Sequence, residues 1–162
     1  MVISFIGQDT ICCSEESLKD RIKWYLSAYT MRDEVTVLCG KRNKFDEIVR
    51  DCVCEVKMST RLPIKLVMVI PDFKKINKDI LSELCDAICI FPSYCEVKEV
   101  SENYSIETMI RRSDKTIFYL RCPLSKSLGK YYRFALESGK MEINIYNNLV
   151  QDKIPKYDDP FE

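Results

Sequence analysis

Three short segments hold the residues that could do chemistry. They are Gly7-Gln8-Asp9, Gly40-Lys41-Arg42-Asn43-Lys44 with Asp46 just beyond, and Arg121 to Gly129 (RCPLSKSLG). Across them Lys41, Arg42, Lys44, Arg121 and Lys126 face a single acid, Asp9. Cations beside the free backbone N–H groups of helix starts suit a phosphate-like anion, through charge-assisted hydrogen bonds. Gly7, Gly40 and Gly129 would let the backbone approach such a ligand, and Gln8, Asn43, Ser125 and Ser127 add neutral polar contacts. Asp46 falls in the first turn of a helix, where the dipole favours a carboxylate with or without a ligand. Beside an anion site it would repel phosphate, so its functional role is to accept hydrogen bonds from ribose hydroxyls or to handle a proton. Glu47 points about 100° further round and reads as solvated.

Composition narrows the chemistry. The chain has no histidine, which removes Ser/His, Cys/His and His-metal mechanisms. Its nine cysteines include Cys12 beside Cys13, Cys52 with Cys54, and Cys85 with Cys89 and Cys95, none at a zinc or redox spacing. They read as reduced thiols, and neither a metal nor a cofactor is expected. Lys plus Arg number 25 and Asp plus Glu 25, a balance that argues against general nucleic-acid or membrane-surface binding and makes any electrostatic recognition local. The first residues lack the basic start and apolar run of a signal peptide, and no stretch approaches the roughly 20 apolar residues of a spanning helix. A soluble, cytoplasmic protein is the expectation.

The elements that must position these segments alternate. Val2–Ile6, Glu34–Cys39 and Ile64–Ile70 are short apolar runs that read as buried strands. Between them, Leu18, Ile22, Tyr25, Leu26 and Tyr29 mark one helical face, with Ser14 as N-cap, and Phe45, Ile48, Val49, Cys52 and Val56 mark a second. Asn77–Asp86 reads as a short helix, Ala87–Phe91 as a strand, and Glu96–Val100 as a strand or extended link. A helix over Ser105–Ser113, a strand over Lys115–Leu120, a helix over Leu124–Ser138 stopped by Gly139, and a strand over Met141–Tyr146 follow. Strands joined by helical crossovers predict an α/β fold of three layers, Rossmann-like, with a mainly parallel sheet of five to six strands. A single domain over residues 1–146 precedes a tail, 147–162, that holds two prolines and four acids. In such sheets ligands bind outside the carboxyl ends of the strands, where the three segments fall.

On these residues the chain resembles the SLOG superfamily, the Rossmann-like group that includes the DprA DNA-processing proteins and the LOG phosphoribohydrolases. The similarity is to a branch of small uncharacterised bacterial and phage proteins. Their Phe-x-Gly-His-Arg turn corresponds to Phe5-Ile6-Gly7-Gln8-Asp9, and their Gly-x-x-Gly-x-Phe-Asp to Gly40 through Asp46. Their Ser-Asp before a strand and Gly-Gly loop corresponds to Ser113-Asp114 and to Ser127-Leu128-Gly129. The resemblance spans about residues 2–146 and implies a nucleotide-derived ligand and a homodimer or larger assembly. The chain departs from the pattern where Gln8 and Asp9 replace His and Arg, Asn43 replaces a glycine, and one glycine of the pair is gone. The Pro-Gly-Gly-x-Gly-Thr motif of LOG enzymes is absent and Glu137 lies about a turn late, so no catalytic role passes to it.

Three functions fit this pattern. The first is a sensing or regulatory module that binds a nucleotide or phosphorylated ribose. The second is an enzyme that hydrolyses or transfers the N-glycosidic bond of a nucleotide, phosphoribohydrolase-like or deoxyribosyltransferase-like, with Asp46 or Asp9 as the carboxylate near the sugar. The third is an interaction protein with a decayed pocket, in which Tyr131, Tyr132 and the tail carry more weight than the loops.

Overall fold

The computed structural model describes residues 1–40, 42–60, 63–70, 87–90 and 98–150. Its strands are β1 (Val2–Gly7), β2 (Val35–Cys39), β3 (Ile64–Ile70), β4 (Ala87–Ile90), β5 (Lys115–Tyr119) and β6 (Met141–Asn144). They form one sheet in the order β4-β3-β2-β1-β5-β6, and every pair is parallel. Among the described residues the helices are α1 (Glu15–Thr30), α2 (Lys44–Thr60), α3 (Lys98–Arg112) and α4 (Gly129–Glu137), and a 3-10 turn covers Ile145–Asn148. The α/β fold with its parallel sheet is as the patterning predicts. None of these helices is long and apolar enough to cross a membrane.

The period-2 alternation of the strands divides the core. Ile3, Phe5, Val35, Val37, Cys39, Ile117 and Tyr119 turn to one face and pack against Leu18, Ile22 and Leu26 of α1 and Phe45, Ile48, Val49 and Cys52 of α2. Ile6, Leu38, Val69, Phe118 and Leu120 turn to the other and meet Ile106, Met109 and Ile110 of α3 and Tyr131 and Ala135 of α4. Of the adjacent tyrosines, Tyr131 is core, and Tyr132 is half-buried with its ring edge-on to Phe118. Ser14 caps α1, its Oγ accepting from Ser17 N at 3.1 Å. Gly139 stops α4 at φ 65°, a conformation that a side chain disfavours.

Three boundaries differ from expectation by more than one residue. Residues 98–100, expected in a strand or link, open α3, which begins well before Ser105. Its apolar face is completed by Ile106, Met109 and Ile110, so the alternating EVKEV pattern yields to helix packing. The last helix begins at Gly129 rather than Leu124, because Gly129 N donates to Ser125 Oγ at 3.2 Å and the chain around Pro123 folds against Gly129. β6 ends at Asn144, since the 3-10 turn takes over Ile145 and Tyr146 and extends to Asn148. The helix expected at Asn77–Asp86 and the tail from residue 151 lie outside the described residues.

The sheet order matters for function. From β1 the chain winds outward through β2 and β3 to β4, then returns to place β5 on the other side of β1. The winding direction therefore reverses between β1 and β5, the kind of switch point beside which open α/β sheets bind their ligands.

Candidate functional site

The loops after β1, β2 and β5 meet at this rim. Gln8 N donates to Tyr119 O at 3.1 Å, and Gln8 Oε1 accepts from Arg121 N at 2.8 Å, joining the β1 and β5 loops. Asn43 Nδ2 donates to Gly7 O at 2.8 Å, and Asp9 Oδ1 accepts from Lys44 N at 3.0 Å, joining the β1 and β2 loops. The polar residues expected to touch a ligand thus first hold the loops to one another. Cys12 N donates to the Tyr119 hydroxyl at 2.9 Å, which fixes the path into α1. Burial pushes the Tyr119 and Tyr146 hydroxyls above the ordinary phenol range, so both stay protonated at neutral pH.

Gly7 and Gly40 have packing reasons. A Cβ on Gly7 would lie 2.3 Å from Phe45 Cδ1, and the Phe45 ring stacks on Tyr119 at 5.4 Å between centroids. A Cβ on Gly40 would come 2.6 Å from both Arg42 Nε and Asp46 Oδ2. Space for a ligand is not needed to explain either.

Asp46 is fully buried at the start of α2. Its carboxylate accepts from Arg42 N and Nε at 2.9 Å each and from Arg42 Nη2 at 3.0 Å, a bidentate pair with a backbone bond added. Asp46 N in turn donates to Asn43 Oδ1 at 3.0 Å, and Arg50 Nη1 donates to Gly40 O at 2.9 Å. The turn from Gly40 to Lys44 is therefore built around an internal ion pair.

That arrangement redistributes the expected positive charge. Arg42 is matched by Asp46. Lys44 Nζ lies 3.4 Å from Glu47 and 3.9 Å from Glu15, while the Asp9 carboxylate already occupies the first N–H of α2. Lys41 lies outside the described residues. In the β5–α4 loop Arg121 and Ser125 are half-buried, and Lys126 and Ser127 are exposed. Lys126 makes no ion pair among the described residues. Gly129 is buried against Pro123, and no acid sits in the first turn of α4. Arg121 and Lys126 are the cations that the β5–α4 loop brings to the rim.

Asn144 was hidden in the sequence. Its Oδ1 accepts from Leu120 N at 3.0 Å and its Nδ2 donates to Leu120 O at 2.7 Å, pinning the point where β5 becomes the loop. The Ser113-Asp114 pair sits at the opposite end of the sheet. Ser113 Oγ lies 3.1 Å from Ser4 Oγ and 3.1 Å from Thr116 Oγ1, and Asp114 Oδ2 accepts from Val2 N at 2.8 Å. These two residues position β1 against β5 and do not reach the rim. Among the described residues no three Cys, Asp or Glu side chains gather around a position for one metal ion.

No protein-family model matches the chain, and no curated protein is significantly similar to it.

Proposed function

We propose that the protein binds a small nucleotide-like ligand, a phosphorylated ribose compound, in the crevice above β1 and β5, and that it serves as a sensing or regulatory module. The observation that carries this reading is the reversal of strand order between β1 and β5, with the loops after β1, β2 and β5 hydrogen-bonded into one rim. The phosphate belongs beside Arg121 and Lys126, since Asp9 would repel it at the start of α2. The resemblance to the SLOG superfamily points to the same ligand class and to a homodimer.

Binding is favoured over catalysis because both oxygens of Asp46 are taken by Arg42. A second reading, cleavage of an N-glycosidic bond, rests on Asp9, which is exposed at the rim and accepts one described hydrogen bond, from Lys44 N. The test is a thermal-shift and calorimetric screen of AMP, cyclic nucleotides and ADP-ribose, with free base assayed in parallel. A rise in Tm that disappears in the Arg121→Ala, Lys126→Ala double variant supports the module. Base release lost in Asp9→Asn would favour the enzyme. Indifference to every anion in the panel would refute both.

A further inference from the structure

The outer surface of α4 carries cations that no described acid matches. Lys130 and Arg133 lie three apart on the helix and are exposed, while Tyr131 and Ala135 face the core. Lys126 is exposed in the loop just before them. Among the described residues none of these three makes an ion pair, whereas Lys19, Lys23, Lys44, Lys65 and Lys115 are each paired with a glutamate. Glu137, the one acid of α4, is exposed a turn beyond Arg133 and takes no described ion pair either. Arg111 of α3 stands beside the same surface, its Cζ 4.7 Å from the centroid of the Phe134 ring. Apolar groups lie among the cations, with Leu136 47% exposed one turn after Arg133 and Leu124 76% exposed in the loop.

A basic surface interrupted by exposed leucines is the complement of an acidic segment that carries aromatic rings. This chain contains such a segment. Residues 157–162 read Tyr-Asp-Asp-Pro-Phe-Glu, three acids and two rings with no cation. Val150 is exposed just past the 3-10 turn that follows β6, and α4 starts after the carboxyl end of β5, the neighbour of β6 in the sheet. The six residues 151–156 span up to about 20 Å, enough for one strand spacing of about 5 Å and one helix diameter of about 10 Å. We propose that the outer surface of α4 is the docking face for residues 157–162 of the same chain. Asp158, Asp159 and Glu162 meet Lys126, Lys130 and Arg133, and the rings of Tyr157 and Phe161 cover Leu136 and Leu124. Each exposed ion pair is weak alone, so the contact depends on several of them, on burial of the rings, and on a short link that keeps the segment close. It stands whether or not the rim takes a ligand.

The test is NMR of the full chain with labelled leucine methyls. NOEs from the Tyr157 and Phe161 ring protons to the Leu136 methyls are expected at low salt and should weaken as ionic strength rises. Asp158→Lys with Asp159→Lys should remove these NOEs and move the Leu136 methyl signals, with the amide signals of the sheet unchanged. Adding Lys130→Glu and Arg133→Glu to that chain should bring the NOEs back. Their absence from the parent chain, their persistence at full strength in Asp158→Lys, Asp159→Lys, or no recovery in the fourfold variant would overturn the proposal. So would NOEs that strengthen with protein concentration and cross between differently labelled copies, since the segment would then dock on a second molecule.

Discussion

Replacing Asp46 by Asn separates a structural carboxylate from a catalytic one. Asp46 has no solvent exposure and accepts three hydrogen bonds from Arg42, whose side chain is 13% exposed. An amide removes the charge and turns N–H groups of its own toward donors, so one oxygen at most still accepts. Breaking a buried ion pair by removing one partner costs about 3–5 kcal/mol, because the other charge is left uncompensated. Arg42 can turn toward water at the rim, which places the cost near the lower end, about 3 kcal/mol. In a domain of this size that is a fall in Tm of roughly 6–12 °C. The assay is urea unfolding of Asp46→Asn, Arg42→Gln and the double variant, followed by circular dichroism. Both single changes break one interaction, so the double should cost less than their sum, with a coupling on the order of 1–3 kcal/mol. A loss under about 1 kcal/mol for Asp46→Asn, or strictly additive costs, would refute the structural role and return Asp46 to candidacy as a catalyst.

Other substitutions probe the rim's supports. Gly7→Ala drives a methyl into the Phe45 ring and should cost about 1–3 kcal/mol in chemical denaturation, with recovery when Phe45→Leu makes room. Asn144→Ala leaves both backbone groups of Leu120 without their partner and should cost about 2–3 kcal/mol, with faster hydrogen exchange at Leu120 N–H as the local readout. Burial raises the Cys52 thiol to about 12, so it should resist alkylation in the native state at pH 8 and react once the chain unfolds. The unfolded chain releases this proton near pH 8.5 while the folded chain holds it. Stability is therefore unaffected by this group below that pH and falls by up to about 1.4 kcal/mol per pH unit between there and about 12; a denaturation series that rises over this window would contradict the assignment.

Much of the architecture was legible because its signals are local. Ser14 before two acids marked a cap, the stripe from Leu18 to Tyr29 marked a buried face, and Gly139 marked a stop. The convergence of the three loops was legible as well, since parallel strands send their carboxyl ends to one side. The partners within the rim were less so. Arg42 reads as a loop cation, although its spacing of four from Asp46 is that of a helical ion pair and could have revealed the match. Gly7 and Gly40 read as ligand-facing because a sequence does not show Phe45 or Arg42 lying over them. Asn144 alternates with Met141, Ile143 and Ile145 as a solvent-facing residue would, and its burial follows from the turn that starts just after it. The start of α3 carries no local mark in the sequence, because its tertiary face lies further along, at Ile106 to Ile110.

Amide NMR of the labelled protein titrated with AMP asks whether the rim above β1 and β5 receives a phosphorylated ribose compound. Binding there gives shifts confined to Gly7–Asp9, Arg42–Lys44 and Arg121–Gly129, strongest in the last segment. Shifts gathered at the opposite end of the sheet, around Val2, Thr36 and Asp114, or none at millimolar AMP, would contradict it.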